Sequence, residues 1–228
     1  MKSAEQDRKL TFREWLEHIW YYYKWQILIL GLIAVFVIIA TVQLFTKSDP
    51  DVGIMVVGKT TLTAEGTADF KEVCYSLMSD YNDDGEKSVN YLELTVSENG
   101  ETTNAQYNSD LTALQRFNTE VASGNSIIYL VNEAYYERLK EFDVLAKLTD
   151  VLPASAIPAE TVDEYGVYLR ELEIHFAAGF SRLPGKLVLC IRRSPEQDDI
   201  TYGRTMEYWR GNQLFFRSLF EYKHPTEE

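Results

Sequence analysis

Hydrophobic and polar positions divide this chain into two regimes. From Trp25 to Phe45 (WQILILGLIAVFVIIATVQLF), twenty-one residues carry no charge. At about 1.5 Å of rise per residue, a helix of that length reaches roughly 30 Å, the hydrocarbon thickness of a bilayer, so the run predicts a transmembrane helix. Beyond it the pattern shortens. Val52 to Val57 is a continuous apolar run that ends at Gly58. Phe70, Val73, Cys74, Leu77, Met78 and Tyr81 then recur at the spacing of one buried helix face, with Thr67 as N-cap and Asn82-Asp83-Asp84-Gly85 as the stop. Leu92, Leu94 and Val96 alternate with Tyr91, Glu93 and Thr95, the mark of a half-buried strand.

After a polar loop from Ser97 to Tyr107, a second helix is marked by Leu111, Leu114, Phe117 and Val121 and closed by Gly124. Ser126 to Val131 reads as a buried strand. Asn132 is placed to cap a third helix through Tyr135, Tyr136 and Leu139, with Leu145 and Leu148 packing its tail. Pro153 and Pro158 flank a small-residue linker. Alternation from Tyr168 to Phe176 and the apolar run Leu187 to Ile191 predict two more strands. A final helix runs from Tyr202 to Phe220, with Met206, Trp209, Phe216 and Phe220 near one face. Strands apolar on both sides and separated by helices predict an α/β fold, one mostly parallel sheet with helices on both faces. The expected organisation is a cytoplasmic head (1–24), a transmembrane helix (25–45), a linker (46–51) and one extracytoplasmic domain (52–228).

The flanks of the apolar run set its orientation. Lys2, Arg8, Lys9, Arg13 and Lys24 precede it, while Lys47 and Lys59 follow within fifteen residues. Basic residues favour the cytoplasmic side, which puts the amino terminus inside and the sheet domain outside. The run exceeds the apolar region of a signal peptide, and Thr46-Lys47-Ser48-Asp49-Pro50 carries no small-x-small cleavage pattern, so the expectation is an uncleaved single-pass anchor. Trp15, Trp20, Tyr21, Tyr22, Tyr23 and Trp25 crowd the approach to it. Such rings favour the headgroup layer, and they serve either as an aromatic belt or as a docking helix for a partner membrane protein. Gly31 and Ala34 lack the small-x-x-x-small spacing of a helix-packing face.

Charge narrows the choice of partner. The chain beyond Phe45 holds seventeen basic and thirty-one acidic residues, a net charge near −14. That argues against nucleic acid, which requires a cationic surface, and against flat adhesion to anionic lipid. Cys74 and Cys190 both fall in apolar patterns, consistent with a disulfide in an oxidising compartment or with two buried thiols. Asp80, Asn82 and Asp84, followed by Gly85, match the first half of a calcium loop, but the twelfth position is Tyr91 where a bidentate carboxylate is needed. A helix-stopping acidic turn is the simpler reading. His18, His175 and His224 are far apart, no zinc spacing occurs, and the serine-hydrolase elbow, Walker A loop and G-x-G-x-x-G are missing. Cys190 with His175 is the one cysteine–histidine pair to consider, and two neighbouring strand residues explain it better than a dyad does. No cofactor is expected, and the chain does not read as an enzyme.

The order strand–helix–strand–helix–strand–helix carries a resemblance, together with the acidic turn at Asn82–Gly85 and the segment from Leu114 to Leu152. In that segment a helix ends in Val121-Ala122-Ser123-Gly124-Asn125, a strand follows to Val131, then come Tyr135-Tyr136 and Leu145-x-x-Leu148-x-Asp150-x-Leu152. This resembles the first lobe of bacterial type II extracellular solute-binding proteins. Tyr165-Gly166-Val167-Tyr168 and Leu187 to Arg192 resemble the point where such chains return to that lobe. Two departures stand out. A transmembrane helix replaces the usual lipoprotein anchor, and about fifteen residues stand where a second lobe would be inserted. The entry Trp20-Tyr21-Tyr22-Tyr23-Lys24-Trp25 also resembles that of a group of bacterial membrane-anchored proteins with no established activity.

The resemblance implies a non-catalytic domain that binds a small molecule, a peptide or a protein. The alternative is an accessory subunit of an envelope or transporter complex acting through protein contacts. In open α/β sheets a site lies beyond the carboxyl ends of the strands. Here that selects Lys59, Thr60 and Thr61 after the first strand, and Asn132, Glu133 and Tyr135 after the third, with Lys59 as the anion partner. Helix capping is the competing role for Thr60 and Asn132.

Overall fold

A computed structural model describes residues 12–45, 50–59, 62–97, 104–196 and 205–225. The chain divides into two compact units, one up to Ser48 and one from Asp49 onward. The first unit is helix α1, Phe12–Phe45, whose described side chains from Trp20 to Thr41 are exposed. Tyr21 and Tyr22 meet edge to face at 5.3 Å. The side chain of Trp15 lies outside the described residues. No single helix among the described residues is long and apolar enough to cross a membrane. Trp20–Gln26 and Leu28–Thr41 meet that requirement together, at a bend of 40°, by length and composition alone.

The second unit is an α/β domain built on a five-stranded sheet. Its strands are β1 (Val52–Gly58), β2 (Val89–Thr95), β3 (Ile128–Val131), β4 (Gly166–Tyr168) and β5 (Val188–Ile191), in the spatial order β2-β1-β3-β5-β4. β1 pairs in parallel with β2 and with β3, whereas β5 runs antiparallel to both β3 and β4. The sheet is therefore mixed, a correction to the mostly parallel expectation. Apolar runs report burial on two faces and carry no information on strand direction, so β5 could not be distinguished from a parallel strand.

Helices cover both faces. Val52, Ile54 and Val56 face a core with Phe70 and Cys74 of α2 (Ala64–Leu77) and with Trp209, Phe215, Phe216 and Leu219 of the last helix, α6 (Met206–Glu221). Met55 and Val57 face the other core, with Phe117 and Val121 of α3 (Asn104–Ser123) and Tyr136 and Leu139 of α4 (Glu133–Glu141). Cys74 belongs to the first core and Cys190 to the second, and both are free. The sheet separates them, which settles the disulfide question in favour of buried thiols.

Several boundaries differ from the periodicity reading. Thr63, not Thr67, caps α2, its hydroxyl accepting the Gly66 N–H at 3.1 Å. The helix stops at Leu77, so Tyr81 packs from the following loop. α3 begins at Asn104, inside the stretch expected to be loop. The strand expected over Tyr168–Phe176 ends at Tyr168 and gives way to 3-10 turns at Leu169–Glu171 and Glu173–Phe176. Leu169, Leu172 and Ile174 are still buried, so single turns meet the same apolar demand without a ladder. Leu148 opens a short helix, α5 (Leu148–Val151), and the linker after Pro153 forms a 3-10 turn.

Two polar devices hold the connections. Asp51, 2% exposed, accepts the Tyr81 N–H at 2.7 Å, Asn82 N–H at 3.1 Å and Ser88 N–H at 2.8 Å, which ties the acidic loop to the start of β1. On the far side, Asp163 accepts from the Tyr136 hydroxyl, from the Tyr165 N–H at 2.9 Å and from Lys140 Nζ at 3.0 Å. Burial pushes the Asp163 carboxyl up, but these donors outweigh it and hold it below the ordinary carboxylate value. A carboxylate depressed on folding stabilises the native state above its unfolded pKa of about 4, and the contribution disappears as pH falls through the lower folded value. The urea midpoint is therefore expected to fall below about pH 4, and to fall less steeply in Asp163→Asn. Equal slopes in the two proteins would refute the assignment. The side chain is 30% exposed, so solvent screens the effect.

Candidate functional site at the carboxyl ends of the strands

The ends of β1, β2, β3 and β4 share one edge of the sheet. Register aligns Val57 with Val131, and the Asn132 N–H donates to the Val57 carbonyl at 3.0 Å. Lys59 and Glu133 therefore stand at adjacent strand ends. Lys59 is exposed, while Thr60 and Thr61 lie outside the described residues. Leu62 N–H donates to Glu93 Oε1 at 2.8 Å, which carries the chain from β1 toward the α2 cap.

Asn132, Glu133 and Tyr135 at this edge already have structural partners. Asn132 Oδ1 accepts the Tyr135 N–H at 3.1 Å, so the side chain is engaged as the cap of α4. Tyr135, 9% exposed, packs edge to face on Phe117 at 4.8 Å, with the Arg138 guanidinium 6.0 Å from its ring centre. Sequence reasoning set Glu133 beside them without a role and missed two neighbours. The Tyr168 hydroxyl donates to Glu133 Oε1 at 2.7 Å, and the Arg170 guanidinium lies 4.6 Å from the Tyr168 ring centre. The hydrogen bond to Glu133 raises the Tyr168 phenol. An anion approaching Lys59 would meet Glu133 as well, so this edge offers mixed charge. Only the register of β4 against β5 brings Tyr168 to this end, and no local spacing could have found it.

Two of the cavities among the described residues lie elsewhere. One of about 370 Å³ is lined by Ile157, Leu172, Glu173, Phe220, Tyr222 and Lys223, among others. Its rim is internally neutralised, because Glu173 accepts Lys223 Nζ at 2.7 Å and the His224 N–H at 3.0 Å. The other, of about 510 Å³, lies between Tyr81 and the Met206–Leu214 face of α6.

Reactive groups do not converge among the described residues. Burial pushes the Cys74 and Cys190 thiols up, away from the nucleophilic thiolate. His175 sits in a 3-10 turn next to Ile174 of the first core, whereas Cys190 belongs to the second, so the two are not strand neighbours. The calcium-loop residues close on themselves. Asp80 Oδ2 accepts the Gly85 N–H at 2.8 Å, Asn82 Oδ1 accepts the Asp84 N–H at 3.0 Å, and Asp84 Oδ1 accepts the Glu86 N–H at 2.9 Å. Asp83 and Gly85 adopt positive φ, of 55° and 89°, as a tight turn requires. No group of three or more His, Cys, Asp or Glu among the described residues is arranged to hold a metal ion. Compared with known proteins, the chain matches no family model, no curated protein and no solved structure.

Proposed function

We propose that this chain is a single-pass, membrane-anchored, non-catalytic domain that works outside the membrane by binding, with a fold like one lobe of a type II solute-binding protein. One observation carries the reading. The large apolar side chains from Leu28 to Ile39 of α1 are 49–70% exposed, and no polar residue interrupts that stretch. A helix apolar on every side needs an apolar surrounding, and lipid supplies one for a helix whose backbone bonds are all internal. The aromatic group from Trp20 to Trp25 then sits at headgroup depth, beside the cytoplasmic cations.

The solute-binding-like reading draws support from the chain's return. The segments that resemble a return to the first lobe, Tyr165 to Tyr168 and Leu187 to Arg192, contain β4 and β5, of which β5 joins the sheet beside β3 and β4 pairs with β5 at the edge. A second reading, an accessory subunit acting through protein contacts, is favoured by the capped and paired side chains at the strand ends. The proposed ligand residues remain Lys59, Thr60, Thr61, Asn132 and Tyr135.

Placement is tested first. Alkaline phosphatase fused behind Glu228 is expected to be active, and the fusion to stay in the membrane pellet after a carbonate wash. A reporter active only in the cytosol would end the proposal. Crosslinking with and without the Trp15–Trp25 segment separates the two readings. Adducts lost with that segment favour the accessory subunit, and adducts that persist favour the sheet domain as the binding surface.

A further inference from the structure

The two edges of the sheet are unequal. β4 is three residues long and its connection folds back on it, the Val162 N–H donating to the Gly166 carbonyl at 2.9 Å. β2 at the other edge is seven residues long, matched one to one with β1, and contains neither proline nor lysine. In a parallel pair, alternate residues turn both backbone groups toward the partner. The Val96 N–H donates to the Gly58 carbonyl and the Ser88 carbonyl accepts the Val52 N–H, so even-numbered residues of this segment face β1. Val89, Tyr91, Glu93 and Thr95 therefore turn their N–H and C=O groups outward. No described residue pairs with them. Asn90, Tyr91 and Glu93 are half-buried and Thr95 is exposed, and no described strand lies on the outer side of β2. A regular, unblunted edge of this length is a template for another strand.

Charge selects the occupant. From Ser79 to Ser97 the chain holds five acidic residues and one lysine, and that lysine, Lys87, donates to the Tyr75 carbonyl at 3.0 Å. Four of these carboxylates lie in the loop before β2 and Glu93 lies on the strand, so a second copy paired along β2 would bring like charges together. We propose that the outer edge of β2 docks an extended, basic segment of a partner protein. Its backbone completes the ladder at Tyr91, Glu93 and Thr95. Its side chains alternate, apolar residues beside Leu92 and Leu94, and Lys or Arg beside Glu93 and the Tyr91 ring. This surface meets the strand ends at Thr95, which pairs with Gly58 beside Lys59, but it uses the outward backbone of β2 and none of the ligand residues proposed there.

The probe is an acetylated decapeptide alternating lysine and valine, added to the detergent-solubilised full chain. In the free protein, amide exchange is expected to be slow at Asn90, Leu92 and Leu94 and fast at Tyr91, Glu93 and Thr95. The peptide is expected to slow the second group at least tenfold, with binding weakened by salt. Thr95→Pro removes an outward N–H and leaves the β1 ladder intact. Glu93→Gln removes the charge and keeps an acceptor for Leu62. Each is expected to weaken binding at least threefold while Asn90, Leu92 and Leu94 stay protected. If Thr95→Pro loses that protection, Glu93→Gln decides. No slowing at Tyr91, Glu93 and Thr95 under saturating peptide overturns the proposal. So does equal binding of a peptide with glutamate in place of lysine. Protection that rises with protein concentration alone would make the occupant a second copy and overturn it too.

Discussion

Replacing Gly179 by alanine is expected to destabilise the sheet domain by about 3–5 kcal/mol, the left-handed strain adding to a clash with backbone. Gly179 has φ of 78°, and a Cβ there would lie 2.3 Å from the Phe70 nitrogen and 2.5 Å from its Cα. Relief would have to move α2, because the contact is with helix backbone and no side chain can rotate away. Phe70 is 0% exposed and its ring lies 4.4 Å from that of Phe180, so the shift would also disturb the centre of the first core. Urea unfolding of the purified chain measures the loss. A change below about 1 kcal/mol, the range of an ordinary surface substitution, would show that the turn relaxes freely.

Asn212→Leu is expected to cost about 2–5 kcal/mol, because each buried polar group left without a partner loses its desolvation energy. Asn212 is 0% exposed. Its Oδ1 accepts the Gly53 N–H at 2.9 Å, and its Nδ2 donates to the Asp51 carbonyl at 3.2 Å and the Tyr208 carbonyl at 2.8 Å. Leucine has similar volume and greater apolarity, so any rule based on hydrophobicity alone favours it here. The prediction is the opposite, since Gly53 and Asp51 at the start of β1 would face a hydrocarbon. Neighbouring bonds from α6 reinforce the seam: the Tyr208 hydroxyl donates to the Asn125 carbonyl at 2.6 Å, and Trp209 Nε1 to the Arg192 carbonyl at 2.8 Å. A variant as stable as the parent in the same urea titration would remove Asn212 from this role. Lys59→Ala, at an exposed position, is the comparison and should change stability by less than about 0.5 kcal/mol.

Asn212 also shows where sequence reading stops. The apolar face of the last helix was legible from Trp209, Phe216 and Phe220, because helical periodicity is local. A polar residue in that face carries no local sign of its partners on β1 and just before it, Gly53 and Asp51, which lie about 160 positions earlier. The same holds for Arg192, 1% exposed, whose guanidinium donates to the Val121 carbonyl across the fold. Asn132 was different. A cap acts on its own helix within three residues, so the sequence pointed to it. Capping also engages the side chain counted as a candidate ligand. Tyr168 and Arg170 at the candidate site were not foreseeable, since β4 reaches that edge only through its pairing with β5.

By itself, the sequence determined what depends on near neighbours. It showed the uncharged twenty-one-residue run, the alternation of strands and helices, the caps at Asn132 and Gly124 and the acidic turn after α2. These follow from spacing, side-chain size and backbone preference within a few residues. Only the tertiary structure decided the direction of β5, the separation of Cys74 and Cys190 onto opposite faces, and the replacement of a fifth long strand by turns. It also decided which strands lie at the two edges of the sheet. The reason is common to all of these: an apolar residue records that it will be buried, and pairing between distant segments decides against what.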